Sequence, residues 1–269
     1  MRKIESNGVV YFEFENLSAT GLVRHGFSTR IGGVSKGHHA SLNLALKPGD
    51  DFENILENFR RICIAMGSDM DNVVISHQVH KTNIRDVTQK DRGKGLKIER
   101  DYQEIDGLIT SERNLILTTH YGDCVPLLLL DVEKRVIAGI HAGWRGTLAN
   151  IAGKAVAKFI NNYNSNPRDI LVGIGPSISA KNFEVRADVY EKFQKTLPVS
   201  ADFIYNGKDA DKRNMNLWGI NRCLLEMSGI LSENIECAEL CTFENPDLFY
   251  SHRRDGLARG TLAAFIELI

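Results

Sequence analysis

Short apolar runs of strand length are interspersed with longer stretches of helical period, and the two periods divide the chain into elements. Residues 9–14 and 21–29 predict two early strands. Residues 51–66 predict a helix, because Phe52, Ile55, Leu56, Phe59, Ile62, Cys63 and Met66 share one face and Gly67 follows. Residues 73–76 predict a short strand, 88–100 a charged surface loop, and 106–110 the entry to another strand. Three apolar runs follow, at 115–119, 127–130 and 136–140, and the simplest arrangement makes them adjacent strands. Residues 147–163 predict one helix with a buried stripe of Leu148, Ile151, Ala152, Ala155, Val156, Phe159 and Ile160. Beyond it, 170–174, 235–242 and 260–269 predict strands, and 186–196 and 217–227 helices. Strands outnumber what a simple alternating plan would give, which predicts a layered fold with mixed sheets.

Composition narrows the class. The chain has 269 residues, 43% hydrophobic and 25% charged, with a net charge of −1. That is ordinary for a globular protein, and no excess of positive charge points to nucleic acid or an anionic membrane. No apolar run approaches the ~20 residues of a membrane span. No charged and apolar leader opens the sequence, so a cytoplasmic protein is expected, with residues 1–269 as a single domain. The five cysteines are scattered, which predicts free thiols in a reducing compartment. Cys63 and Cys223 fall on apolar helix faces, and Cys237 and Cys241 have no second pair nearby to complete a metal site.

The candidate chemistry is concentrated between Thr118 and Asn150. Cys124 and His141 each follow an apolar run at a strand end, where active sites are often built. One reading makes Cys124 a nucleophile and His141 its base. The other makes both metal ligands and demands a third from elsewhere. His80, in a histidine-bearing turn after a strand, is a good candidate, and periodicity does not separate it from His77. A Cys-His-His set with an open position suits catalytic zinc, and thiolate with imidazole also suits copper. Asp106 is either a turn residue or a carboxylate supporting a ligand from behind. After His141, the turn Gly143-Trp144-Arg145-Gly146 starts a helix, whose amides together with Arg145 predict an anion site. Arg30 and Arg254 would add charge-assisted contacts, and Asn43 closes the long loop that Arg30 opens. Trp144 either stacks on a flat ring or packs in the core.

Eight motifs together carry a resemblance: STRIGGVS at 28–35, SLNL at 41–44, HQVH at 77–80, DGLIT at 106–110, GDCVPLLL at 122–129, HAGWRG at 141–146, GIGPSI at 173–178 and SHRRDG at 251–256. The chain resembles the YfiH-like, laccase-domain family of purine nucleoside phosphorylases. The resemblance implies an α+β fold, a four-layer α/β/β/α sandwich with mixed β-sheets. It implies zinc on His80, Cys124 and His141, with copper as the alternative. It implies phosphorolysis of purine nucleosides by inorganic phosphate to free base and ribose 1-phosphate, with adenosine deamination at the same site. The substrate-binding expectation rests on Arg30, Asn43, Arg145 and Arg254, and Arg259 stands near where the family carries an arginine. The partners implied are small molecules, with neither nucleic acid nor membrane. The alternatives are a copper polyphenol oxidase and a non-catalytic module that zinc only stabilises.

Overall fold

The computed structural model describes residues 1–46 and 49–269. Its strands, in chain order, are β1 (Arg2–Ser6), β2 (Val9–Glu13), β3 (Val23–Ser28), β4 (Val73–Ile75), β5 (Ile84–Asp86), β6 (Gly107–Thr110), β7 (Ile116–Tyr121) and β8 (Val125–Asp131). They continue as β9 (Val136–Ala142), β10 (Ile170–Ile174), β11 (Glu184–Arg186), β12 (Ile204–Asn206), β13 (Lys212–Met215), β14 (Ile235–Cys237) and β15 (Leu262–Leu268). The helices are α1 (Glu15–Ser18), α2 (Phe52–Ala65), α3 (Trp144–Leu148), α4 (Ile151–Tyr163), α5 (Ala187–Thr196), α6 (Leu217–Met227) and α7 (His252–Asp255).

Two six-stranded sheets form the frame. The first runs β1-β2-β3-β15-β7-β4 and the second β14-β10-β8-β9-β6-β5. Both are mixed: β4 pairs with β7, β6 with β5, and β10 with β14 in parallel, while the remaining pairs are antiparallel. The apolar runs are continuous because both faces of these strands are covered. In β8, Leu128 and Leu130 face the first sheet, whereas Val125, Leu127 and Leu129 face the core shared with α4 and α6. In β15, Leu262, Ala264, Ile266 and Leu268 face the second sheet, and Ala263 and Phe265 face α2. Helix, sheet, sheet and helices therefore follow one another across three apolar cores. Truncating one fully buried leucine, such as Leu128, to alanine would cost about 2–5 kcal/mol.

Several expectations need correction. The runs at 115–119 and 127–130 are not neighbours: β7 lies in the first sheet, and β8 pairs with β9 in the second. The helix expected at 147–163 is broken. Asn150 takes a left-handed conformation (φ 56°) and its side chain accepts a hydrogen bond from Gly153 N–H, starting α4 afresh. The stretch 88–100 is not wholly a surface loop, since Leu96 packs in the α2 core and Asp91 is buried, paired with Lys94 and Arg85. The strand expected at 235–242 ends at Cys237, and Cys223 is only half-buried. Strands β1 and β5, and the small sheet β11-β13-β12, carry too few apolar residues for their period to announce them.

The chain crosses from the first sheet to the second twice, between β4 and β5 and between β7 and β8. Both crossings lie at the same end of the sandwich, and two of the three candidate ligands, His80 and Cys124, sit on them.

Candidate metal centre

His80 belongs to the first crossing. It adopts a left-handed backbone (φ 63°), uncommon for a non-glycine residue. Gln78 secures this loop to the first sheet, since its amide donates to His120 C=O at 2.8 Å and accepts from His120 N–H at 2.7 Å. Cys124 belongs to the second crossing, a turn only three residues long. The residue before it, Asp123, has φ 111° and accepts hydrogen bonds from Thr242 Oγ1 and Arg253 N–H, each 2.6 Å away. His141 is the penultimate residue of β9, almost wholly buried.

The three side chains converge. His80 Nε2 lies 3.8 Å from Cys124 Sγ, the two imidazoles meet edge to face at 4.8 Å, and the three ligand atoms lie within 4.8 Å of one another. Among the described residues this is the one group of His, Cys, Asp and Glu side chains so disposed. An ion bound at about 2.0–2.3 Å from each atom would draw tetrahedral donors to roughly 3.5 Å, so modest side-chain movement closes the set. Gly143 completes the fit: a Cβ there would stand 2.8 Å from His80 Cδ2 and 3.1 Å from Cys124 Sγ, in space beside all three ligands. The donor chemistry agrees. His141 Nδ1 is 2.8 Å from Asp106 Oδ1. An ionised carboxylate only accepts, so Nδ1 carries a proton, and in the neutral ring Nε2 has the lone pair a metal ligand needs. Burial alone would raise the Cys124 thiol, but His141 and His80 outweigh it and pull it down to about 6. Burial alone would likewise lower His141, and the facing Cys124 thiolate and Asp106 reverse this, raising it to about 9. Two imidazoles and a thiolate so disposed could hold a metal ion.

A cavity of about 720 Å³ opens above these groups. Trp144, Ile178, Phe183 and Leu217 give it an apolar wall, and Arg100, Arg145, Arg253 and Arg259 bring positive charge to its lining. The Arg145 guanidinium lies 4.2 Å from the Trp144 ring centroid, over its face. Trp144 packs against the core and also lines the cavity.

The other expected substrate residues are elsewhere. Arg30 is not brought to the cavity; it donates to the carbonyls of Ala40 and Pro246 and lies over the Tyr250 ring. Arg254 is likewise held by the carbonyls of Thr242, Phe243 and Phe249 and by Asp255. Asn43 is fully buried, and its Oδ1 accepts from the amides of Ala45 and Thr261, two residues that do line the cavity. The expected anion site at the helix start is reduced too. α3 is a single short turn, and the Thr147 amide is already bonded to Gly143 C=O.

The model of the family described as multi-copper polyphenol oxidoreductase laccase matches residues 24–269. The chain belongs to that family. Over 247 residues it is 38% identical to the protein of Bacillus subtilis named purine nucleoside phosphorylase YlmD, covering 90% of this chain and 87% of that one. A purine nucleoside phosphorylase of Bacteroides thetaiotaomicron is 33% identical over 256 residues, 95% of each chain. The crystal structures of YlmD from Geobacillus stearothermophilus and of a Bacillus licheniformis hypothetical protein YfiH superpose with TM-scores of 0.90 at 32% and 31% identity, each covering 98% of this chain and 97% of that one. The resemblance carried by the eight motifs is borne out, and the α+β fold with mixed sheets is that of these relatives.

In this laccase-family chain, motif reading missed two residues of the site. Gly143 stands inside HAGWRG, yet nothing local distinguishes it from a helix-starting glycine. Arg253 stands beside Arg254, and only the fold decides which of the two reaches the cavity. Arg259, set apart on its position alone, does line it. Its guanidinium packs on Gly122, its buried Nε has no hydrogen-bond partner among the described residues, and Nη1 donates to Gly260 C=O.

Proposed function

We propose that this protein is a zinc-dependent purine nucleoside phosphorylase that also deaminates adenosine. The observation that carries the reading is the His80, Cys124 and His141 cluster at a cavity with one apolar wall and several arginines. The names of the relatives supply the substrate class. In this reading His80 Nε2, Cys124 Sγ and His141 Nε2 hold zinc, which when bound supplies a Lewis acid that activates a polar substrate group or water. A lowered thiol keeps Cys124 in the thiolate form that ligates.

The apolar wall, Trp144 with Ile178, Phe183 and Leu217, takes the flat base and excludes water from it. Arg145 and Arg259 take the phosphate. Arg259 is favoured because burial lowers its pKa despite the nearby Asp123, leaving a desolvated cation ready for a dianion. In phosphorolysis a phosphate oxygen bonds to the anomeric carbon as the bond from that carbon to the base nitrogen breaks. The bonding pair leaves with the base, which takes up a proton. In deamination water replaces the amine of adenosine and ammonia leaves. Asn43, Arg30 and Arg254 act on the scaffold: Asn43 sets the strand-end loops that carry Ala45 and Thr261.

The copper reading has the family description in its favour. A laccase needs several copper centres, whereas one suitable ligand group is present among the described residues. The decisive assay incubates the protein with adenosine, with and without phosphate, and follows the products. Adenine that appears only with phosphate, and inosine that appears without it, are expected, both abolished by a chelator. No adenine and no inosine under either condition would end this reading. A large chelator-induced drop in melting temperature alongside that result would leave zinc as a purely stabilising ion.

A further inference from the structure

The ligands come from two crossings and one strand, so something must fix their mutual distance. Asp106, fully buried just before β6, stands at the point where they meet. Its Oδ1 faces His141 Nδ1 at 2.8 Å and accepts the His80 N–H at 2.9 Å. Its Oδ2 accepts the N–H of Lys81 at 2.8 Å and that of Val79 at 3.2 Å. One carboxylate thus collects three successive amides of the loop carrying one ligand, together with the ring of another. Three consecutive N–H groups pointing at one carboxylate require an unusual backbone, and His80 supplies it with its left-handed φ.

We propose that Asp106 is the positioning residue of the metal centre: it fixes His80 and His141 in one frame, so that metal affinity depends on a group that never touches the metal. The inference rests on the metal reading above. A carboxylate is suited because both oxygens are acceptors with two lone pairs each, four acceptor places for four donors. Asparagine keeps the shape but offers one acceptor oxygen and turns an NH₂ group toward N–H groups. The loop has other ties that do not involve this side chain. Ile105 N–H donates to His77 C=O, Asp106 N–H to Asn83 C=O, and Asn83 Nδ2 to Glu104 C=O. The fold should therefore survive Asp106→Asn, and the loss should fall on the alignment of the ligands.

The experiment compares wild type, Asp106→Asn and Asp106→Glu as full-length metal-free protein. It measures Zn²⁺ affinity by competition with a chelator, the absorption spectrum after Co²⁺ loading, and the melting temperature without metal. Asp106→Asn should bind Zn²⁺ about 10- to 100-fold more weakly. Its Co²⁺ spectrum should shift in the thiolate and ligand-field bands, since the imidazoles no longer meet the ion at the same angle. Asp106→Glu should recover part of the affinity, and it decides the matter if the asparagine variant does not fold. Wild-type affinity and an unchanged Co²⁺ spectrum in the folded variants would overturn the assignment, as would a lowered metal-free melting temperature with affinity intact, which marks a role in folding alone. Wild-type protein that takes up neither ion would instead overturn the metal reading, and this assignment with it.

Discussion

Two histidines on sheet strands are buried to the same degree and titrate in opposite directions. His25 on β3 is 2% exposed and His141 on β9 is 3% exposed. Burial lowers His25 to about 4, and its ring Nε2 accepts the Phe14 amide at 2.8 Å, a bond only the neutral ring can accept. His141 meets the same burial, but Cys124 and Asp106 face it and raise it to about 9. The difference lies wholly in the partners. A single backbone donor makes a histidine part of the core. An anionic pair holds it charged instead. Burial sets the cost of charge for both, and the tertiary neighbours decide whether that cost is met.

Removing the partner should have the largest effect. Cys124→Ala takes away one ligand and the thiolate facing His141. Phosphorolysis of adenosine or inosine should fall by about three decades, the several kcal/mol a Lewis acid supplies, with zinc content falling in parallel by elemental analysis. Full zinc occupancy with undiminished turnover would erase the contrast between the two histidines.

The structural histidine makes the next prediction. Unfolded, His25 takes up a proton near pH 6.5; folded, it resists until about pH 4. Its contribution to stability is complete above pH 6.5, declines as the pH falls from 6.5 to 4, and levels off below. The loss amounts to about 3 kcal/mol. Urea unfolding at a series of pH values should show this decline in wild type, and His25→Gln, whose amide oxygen can accept the same backbone N–H, should flatten it. An identical slope in both proteins would remove His25 from the account.

Gly143→Ala tests the space rather than the charge. The backbone there, φ −66°, suits alanine, so folding should be little affected. The added methyl group would press on His80 and Cys124 and weaken Zn²⁺ binding by about 10- to 100-fold, a loss of the kind seen when ligands are displaced from alignment. Unaltered affinity would mean the ligands have more room than the structure gives them. The smallest effect is expected from Arg259→Lys, which keeps the charge and loses the planar fork. KM for phosphate should rise about tenfold with zinc content unchanged. An unchanged KM would move the phosphate to Arg145 or Arg253.

Much of the frame was legible because it is local. The four-leucine run of β8 and the alternation in β15 record coverage on both faces, and the stripe of α2 ends at Gly67 as its period requires. Cys124 and His141 stood out because each follows a strand run. The third ligand was harder. His77 and His80 are equivalent by position, and only the motif resemblance preferred His80. The structure turns His80 toward Cys124 through a left-handed residue that no apolar pattern encodes, while His77 Nδ1 accepts the Glu104 amide.

What the sequence determined by itself is therefore the longer apolar elements and the family. Both rest on short-range periodicity and on motifs preserved as strings. The tertiary structure alone decided that β7 and β8 belong to different sheets, because strand pairing is a long-range choice and each run would satisfy its own period in either sheet. It also decided the fate of the arginines. Arg30 and Arg254 are held by backbone carbonyls, whereas the buried Nε of Arg259 has no hydrogen-bond partner among the described residues and its guanidinium is left beside the cavity. The same accounting of buried donors and acceptors made Asp106 the meeting point of both histidine ligands.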